Sequence, residues 1–220
     1  MKRAAWELTR ENFLSLPEIE QLNRYLDDQI VDATGKALNT AVLDRVIISG
    51  LLYSGLRNSE FCRLTLQDAR LGPGEAVLEV VGTPRQDRTV FIPQFISRRI
   101  QEYIAEIRPA LLKGEVAAND ASQPLIINER GRPYERTGLY RRVVRILTAA
   151  GLEAKASVQV LRHTYGYLGY LKTDGNLLFL QRQMGHAHPM VTSIYAQFVE
   201  ENNAALAERL AEGNAGHDKT

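Results

Sequence analysis

Cysteine is nearly absent from this chain of 220 residues, in which Cys62 stands alone. A single thiol cannot form an internal disulfide, which excludes a disulfide-stabilised secreted fold and fits a reducing compartment. No group of Cys and His residues has the spacing of a zinc site, and no other motif indicates a cofactor. We therefore expect a cytoplasmic protein that works without a metal or an organic cofactor.

Long hydrophobic runs are also missing, because charged residues interrupt every apolar stretch. A membrane-spanning helix needs about 20 apolar residues, so we expect no membrane span. The opening, MKRAAWELTRENF, lacks the apolar stretch of a signal peptide. A hydrophobic content of 45% is nevertheless normal for a globular core, and the length allows one sizeable domain or two small ones.

The chain also has almost no excess of one charge sign, since its net charge is only +1. This gives little support for a nucleic-acid partner. The arginines are unevenly placed, however, and ERGRPYERTGLYRRVVR holds six of them. They are Arg130, Arg132, Arg136, Arg141, Arg142 and Arg145. Guanidinium groups match phosphate oxygens well, so this segment is a candidate DNA surface. The alternative is an ordinary solvated helix face.

The apolar patterns predict a mainly α-helical domain with a small antiparallel β-sheet at one edge. A helix should begin near Leu16, with Ser15 as its N-cap, and a buried helix should end near Gly55. EAVLEVVG and RTVFIP read as a hairpin, an amphipathic helix follows it, and PLIIN reads as a short strand. Later helices should close at Gly151 and begin after Ser157.

Two arginines stand next to or inside helices that are expected to be buried. YSGLRNSEFCRLTLQD places Arg57 between a buried helix and a short one, and VQVLRHTYGYL places Arg162 inside an apolar helix. Burying a guanidinium is costly unless it has an ion pair or a ligand. A structural ion pair, for Arg57 with Glu60 or Asp68, is the alternative to an anion-binding role.

QMGHAHPMVTSIYAQF, residues 183–198, adds a histidine and a tyrosine near the C-terminus. Thr192 follows His186 by six residues and Tyr195 follows it by nine. Taken alone, this stretch predicts an amphipathic helix in which Tyr195 is an ordinary half-buried aromatic residue. The two arginine segments give it a different meaning.

Together, GLRxSE, LRHT, GH and a tyrosine nine residues beyond that histidine resemble the catalytic domain of the tyrosine recombinases, the phage-integrase family. Order and spacing agree from about residue 13 to residue 210. The opening, ENFLSLPEIEQL, is most similar to the short fimbrial-type invertases. The resemblance implies a catalytic domain at residues 13–212, after an N-terminal arm at residues 1–12 and before a frayed tail at residues 213–220.

The resemblance implies a site-specific DNA recombinase or integrase that cleaves and rejoins double-stranded DNA. Tyr195 would attack the scissile phosphate and form a 3′-phosphotyrosyl bond. Arg57 and Arg162 would hold the non-bridging oxygens, His186 would donate a further hydrogen bond, and Glu60 would orient Arg57. Family members also associate on DNA, and here the helix expected at residues 199–210 would mediate that contact.

Two positions depart from the family pattern. The lysine usually found in the hairpin turn, which acts as a general acid, is replaced by Thr83, and the usual histidine three residues before the second arginine is Gln159. Arg85 and Arg88 lie near the turn and are candidate DNA contacts, but a guanidinium hardly releases a proton near neutral pH. His163 follows the motif arginine directly and is interpreted as a supporting, structural residue.

These departures leave other functions open. The chain could be a DNA-binding protein with the recombinase fold and little strand exchange, or a nicking and closing enzyme resembling type IB topoisomerases. Arg136, Arg141 and Arg142 are its expected DNA contacts. Lys155 or Lys172 could replace the missing acid.

The missing acid leads to a test. Thr83→Lys should accelerate cleavage of an ordinary DNA site by about 100-fold or more, because the new ammonium protonates the leaving oxygen. On a 5′-bridging phosphorothiolate, whose sulfur leaves without a proton, the gain should be small. If wild-type rates measured by single-turnover cleavage are equal on both substrates while chemistry is rate-limiting, another group already supplies the proton.

Overall fold

The computed structural model of the chain describes residues 8–82, 87–112, 120–188 and 190–199. Four predictions from the sequence fall outside these residues. They concern Thr83 in the hairpin turn, the nearby Arg85, all but the first residue of the expected C-terminal helix, and the frayed tail at residues 213–220. Most of the proposed N-terminal arm lies outside as well.

Two long helices form the first layer. Helix α1 spans Leu16–Val31 and begins where predicted, because the Ser15 hydroxyl accepts from the Glu18 amide and the Glu18 carboxylate accepts from the Ser15 amide at 2.7 Å. Helix α2 spans Gly35–Ser54, packs on α1 and buries most of its C-terminal half. It ends at Gly55, whose φ of 64° suits a residue without a side chain.

A short helix and a small sheet follow. Helix α3 spans Asn58–Arg63, and strands β1, β2 and β3 span Ala69–Arg70, Ala76–Val80 and Arg88–Ile92. The three strands are antiparallel in the order β1-β2-β3, so the predicted hairpin is confirmed and gains a third, two-residue strand. Leu78 of β2 pairs with Val90 of β3, and both side chains are fully buried.

The amphipathic helix predicted after the hairpin is interrupted. Helix α4 spans Gln94–Glu102, a π-helical turn spans Tyr103–Ile107, and helix α5 spans Arg108–Leu112. Pro109 has no amide hydrogen and its ring crowds the carbonyl four residues earlier, which accounts for the widened turn in front of it.

The strand predicted at PLIIN is wrong. Leu125, Ile126 and Ile127 are buried, but the segment makes only single β-bridges, Thr65 with Pro124 and Ile127 with Pro133. A proline stands at each bridge, and since proline has no amide hydrogen, neither bridge extends into a ladder.

Four helices complete the described fold. Their bounds are α6, Arg136–Ala149; α7, Val158–Lys172; α8, Leu177–Met184; and α9, Met190–Ser193. The predicted stop at Gly151 and the predicted cap at Ser157 are both confirmed, with a φ of 76° at Gly151 and a 3.1 Å bond from the Val160 amide to the Ser157 hydroxyl. The helix predicted at HPMVTSIYAQF is shorter than expected, since α9 ends at Ser193 and Tyr195 lies beyond it.

The larger apolar cluster joins α1, α2, the sheet and α4 to α7, and a smaller one joins α7, α8 and the segment around Tyr195. The mainly α fold with a small antiparallel sheet is therefore confirmed. None of the helices that the structure describes is long and apolar enough to cross a membrane.

Arg142 is buried, contrary to its predicted DNA-binding role. Its guanidinium is buried between α6 and α2, where it forms ion pairs with Asp44 and Glu129 and donates to the Tyr134 hydroxyl at 2.8 Å. The prediction is wrong because a positively charged side chain on the inner face of α6 finds its carboxylate partners inside the fold. Its neighbour Arg141 is exposed.

This contrast gives a matched pair of variants. Arg142→Ala should lower the free energy of unfolding by about 3 to 5 kcal/mol, since it leaves the Asp44 carboxylate buried without its partner. Arg141→Ala, one residue away on the exposed face, should change it by less than about 0.5 kcal/mol. Urea denaturation measures both values. Equal losses would mean that the ion pairs of Arg142 do not hold α6 to α2.

Candidate active site

The structure brings the motif residues together around one cavity of about 250 Å³. Arg57 comes from the start of α3, Arg162 from α7, His186 from the connection between α8 and α9, and Tyr195 from the turn after α9. Gln159 and His163 of α7 also line it. A larger groove of about 980 Å³ lies between β3 and α8 and shares His186, but it contains neither Tyr195 nor the two motif arginines.

Arg162 is held by the ends of two helices. It is only 5% exposed, and its guanidinium donates to the carbonyl of Gly55 at the end of α2 and, at 2.8 Å, to the carbonyl of Met184 at the end of α8. Helix C-termini carry partial negative charge and therefore suit a cation. Burial and the nearby Arg57 lower the pKa of Arg162 to about 9, which leaves it charged at neutral pH.

Arg57 is more accessible than Arg162. Its guanidinium donates to the Glu60 carboxylate at 2.7 Å and to the carbonyl of Gly185 at 3.0 Å, while 25% of its side chain stays exposed. Gly185 takes a left-handed conformation, with a φ of 62°, at the end of α8. Both motif arginines therefore use a carbonyl of a glycine that terminates a helix.

The Glu60 carboxylate joins Arg57 and Arg88 behind the cavity. Arg88 of β3 donates to both of its carboxylate oxygens, at 3.0 and 2.9 Å, and the Arg57 amide donates to it at 2.7 Å. Burial alone would raise the pKa of Glu60, but the hydrogen bonds from Arg88 and Arg57 outweigh it and lower the pKa to about 2. The carboxylate is therefore permanently ionised at neutral pH.

Arg88 was expected on the DNA surface, and this prediction is wrong. Only 11% of its side chain is exposed, and besides Glu60 it binds the carbonyl of Gln183 at 3.0 Å. The register of β3 directs the Arg88 side chain toward α3 and α8. On α3, the two carboxylate oxygens of Glu60 accept hydrogen bonds from Arg88 as well as from Arg57. Sequence spacing could not show this contact, which joins three elements that lie far apart along the chain.

Tyr195 is buried rather than half-buried, with 1% of its surface exposed. Its hydroxyl lies 3.1 Å from His163 Nδ1. The ring packs on Gly166 of α7 so closely that a Cβ there would lie 2.2 Å from the ring carbon Cζ. Burial raises the pKa of Tyr195 to about 12, although Arg162 opposes the shift. Gly166 is therefore a site residue, and only its place one helical turn after Arg162 hinted at it.

His163 lies inside the cavity, although the sequence favoured a structural role for it. Burial and the neighbouring charge of Arg162 lower its pKa to about 4, so the ring is neutral at neutral pH. The amide nitrogen of Gln159 lies 3.2 Å from its second nitrogen, Nε2. The three side chains thus form a row from Gln159 through His163 to the hydroxyl of Tyr195.

His186 is oriented by Thr192, a residue for which the sequence suggested no role. Its Nδ1 lies 2.9 Å from the Thr192 hydroxyl, and Thr192 is fully buried. Gln181 also donates to the His186 carbonyl at 3.2 Å. The spacing of six residues between histidine and threonine was visible in the sequence, but the turn that joins them was not.

Neither lysine considered as a replacement acid lines the cavity. Lys155 binds the Glu18 carboxylate at 2.7 Å and the Phe13 carbonyl at 3.1 Å. Lys172 lines a separate apolar groove between α1 and α7.

Among the described residues, no group of three or more His, Cys, Asp or Glu side chains could hold a metal ion. Arg136 and Arg141 are exposed on α6.

Comparison with known proteins agrees with this geometry. The sequence model described as the phage integrase family matches residues 12–202. The chain belongs to the phage integrase family. Its relatives include the tyrosine recombinase XerC of Lactobacillus leichmannii, which is 31% identical over 183 residues, covering 83% of this chain and 57% of the relative.

A second member of the phage integrase family, XerC of Halalkalibacterium halodurans, is 31% identical over 79% of this chain and 56% of its own length. The chain thus spans little more than half the length of these relatives. The crystal structure of XerH bound to its difH substrate superposes with a TM-score of 0.69 at 23% identity, covering 91% of this chain and 54% of that one. The tyrosine-recombinase fold is confirmed, and the closer likeness to the short invertases stays a prediction.

The ion pairs of Glu60 generate a pH prediction. Its pKa is about 2 in the folded protein and near 4.5 when unpaired, so its contribution is present above pH 4.5 and disappears as the pH falls toward 2. The full contribution is about 3 kcal/mol. Glu60→Gln should remove this part of the acid dependence of the unfolding free energy, measured by urea titration across that window. An unchanged acid dependence would show that Glu60 is not the group that titrates.

Proposed function

We propose that the chain is a site-specific DNA recombinase or integrase that works through a 3′-phosphotyrosyl intermediate. The observation that carries the proposal is the convergence of a tyrosine hydroxyl, two arginines and a histidine on one cavity. Residues 13–212 would form the catalytic domain, preceded by an arm and followed by a short tail. Names of relatives such as tyrosine recombinase XerC agree with this activity.

The proposed reaction is an exchange of phosphodiester bonds. The Tyr195 oxygen attacks the phosphorus, a bond to tyrosine forms, and the bond to the 5′-oxygen breaks. That oxygen leaves with a proton as a 5′-hydroxyl, and in rejoining it attacks the phosphotyrosyl bond so that tyrosine leaves. Arg57 and Arg162 neutralise the non-bridging oxygens, and His186 donates a hydrogen bond to one of them. Because the phosphotyrosyl bond replaces the one that was broken, rejoining needs no nucleotide cofactor.

DNA is held by charge on the outside of the fold. Arg136 and Arg141 remain the proposed phosphate contacts from α6, since both are exposed. Arg88 and Arg142 are removed from that set because Glu60, Asp44 and Glu129 already bind them. Self-association on DNA through residues 199–210 is part of the proposal, and a cytoplasmic location would give the protein access to DNA.

A DNA-binding protein with little strand exchange is the second candidate. The observation that favours it is that no lysine in the described part of the chain lines the cavity. Protonation of the leaving oxygen would then depend on the hairpin turn, where the sequence has Thr83, and general acids contribute about 100- to 10,000-fold.

The test is capture of the covalent intermediate. Wild-type protein incubated with a nicked suicide DNA site should give a slow band on a denaturing gel, and Tyr195→Phe should give none. Tyr170→Phe is the matched control, since Tyr170 belongs to the same apolar cluster but does not line the cavity. Arg162→Ala should reduce cleavage by about 100-fold or more.

The outcomes separate the candidates. An adduct followed by exchange between two sites supports the recombinase, whereas sequence-specific DNA binding without any adduct supports the second candidate. An equally strong band from Tyr195→Phe would assign the nucleophile to another tyrosine. Normal cleavage by Arg162→Ala, with a melting temperature many degrees lower, would make that arginine structural.

A further inference from the structure

The hydroxyl of Tyr195 is buried, and it has to give up its proton when its oxygen attacks. Among the described residues, its one polar contact is with His163 Nδ1, at 3.1 Å. The phenol is protonated at neutral pH, and a buried hydroxyl that donates to nothing is costly. The contact is therefore a hydrogen bond from the Tyr195 hydroxyl to His163 Nδ1.

That direction determines the tautomer of His163. A neutral imidazole carries one ring hydrogen, so if Nδ1 accepts, the hydrogen is on Nε2. Nε2 lies 3.2 Å from the terminal amide of Gln159, whose nitrogen faces it. Because Gln159 is exposed, a half-turn of this amide brings its oxygen to the same place, where it accepts from Nε2. The row of hydrogen bonds is then complete.

We propose that His163 is the catalytic base for Tyr195, and that Gln159 is the positioning residue that keeps Nδ1 available to accept the proton. The inference rests on the function proposed above. It places proton acceptance on a residue one turn of α7 beyond position 159, where the family's usual histidine is absent. If His163 accepts the proton, the replacement of the usual histidine by Gln159 does not by itself leave the site without a base.

The proton of the tyrosine is accounted for in both directions. As the Tyr195 oxygen bonds to phosphorus, its proton moves to His163 Nδ1 and the ring becomes an imidazolium that still donates from Nε2 to Gln159. In rejoining, the 5′-hydroxyl attacks, the tyrosine oxygen leaves, and Nδ1 returns the proton. The 5′-oxygen gains and loses its own proton in a separate exchange, in which His163 takes no part.

Bound DNA would strengthen this base. Without DNA, the charged groups that share the cavity with His163 are Arg162 and Arg57, with His186 and Tyr195 as the other titratable groups. Burial and the charge of Arg162 both oppose a positive charge on the ring. A phosphodiester between the arginines brings a compensating negative charge, which raises the pKa of His163 at the moment of attack.

Cleavage kinetics with the full chain and a suicide DNA site test the base. His163→Ala should slow formation of the covalent adduct by about 100- to 10,000-fold and leave DNA affinity within about threefold. Added imidazole should restore a large part of the rate. His163→Asn, which retains hydrogen bonding without accepting a proton, should be as slow as His163→Ala. His188→Ala, at an exposed histidine, is the control that should behave as wild type.

The pH profile separates a base from a structural residue. The wild-type rate should level off above the pKa of His163 in the complex, whereas the His163→Ala rate should keep rising about tenfold per pH unit toward the pKa of the phenol. Gln159→Glu should move the wild-type plateau to higher pH, because a carboxylate stabilises the imidazolium, and Gln159→Leu should move it the other way. Unchanged profiles in these variants would overturn the proposal.

A spectroscopic measurement tests the tautomer without DNA. Nitrogen NMR of the histidine rings, assigned with His163→Ala, should show Nε2 protonated and Nδ1 unprotonated in His163, and this difference should shrink in Gln159→Leu. A proton on Nδ1 in the wild type would overturn the inference. If wild type forms no adduct at all, the proposed function fails, whereas a normal adduct rate in His163→Ala sinks only the role of this histidine.

Discussion

Two guanidinium groups that face one small cavity, one buried and one partly exposed, are the constraint around which this fold is arranged. Arg57 and Arg162 line the same small cavity, and each lowers the stability of a positive charge on the other. Such a pair persists only if the surrounding backbone supplies negative potential and hydrogen-bond acceptors. Helices α2 and α8 do so by ending at the cavity, and Glu60 adds the one full negative charge.

Several otherwise unrelated features follow from that constraint. Gly55 and Gly185 must take left-handed conformations so that their helices stop where their carbonyls meet the arginines. Arg88 adds a second positive charge to the buried Glu60 carboxylate, which Arg57 also binds. With the backbone acceptors occupied, the outer faces of both motif arginines remain directed at a cavity that an anion can enter. The scaffold itself therefore presents two cationic side chains to the cavity, and their placement does not depend on flexible surface side chains.

The side chains proposed to exchange the proton are held differently from the two arginines. His163 of α7 contacts Tyr195, which lies in the turn after α9. Their contact depends on Gly166, because any side chain there would occupy the space of the Tyr195 ring. The departures at positions 83 and 159 remove two side chains that exchange protons, but they leave the arginines, Glu60 and His186 in place. Under the proposed function, the chain keeps the residues that would bind the phosphate and changes those that would move protons.

The sequence by itself determined the helices, their caps, the hairpin and the set of motif residues, because these depend on local chemistry: Ser15 and Ser157 as caps, Gly55 and Gly151 as stops, and fixed spacings around Arg57, Arg162 and Tyr195. The family resemblance rested on the same local order. The sequence could not predict that Arg88 and Arg142 turn inward while Arg141 stays exposed, or that PLIIN forms no strand. It also could not place His163 against Tyr195 or Thr192 against His186. Only the tertiary structure decided these contacts, because burial and pairing depend on which face of each element meets a distant partner.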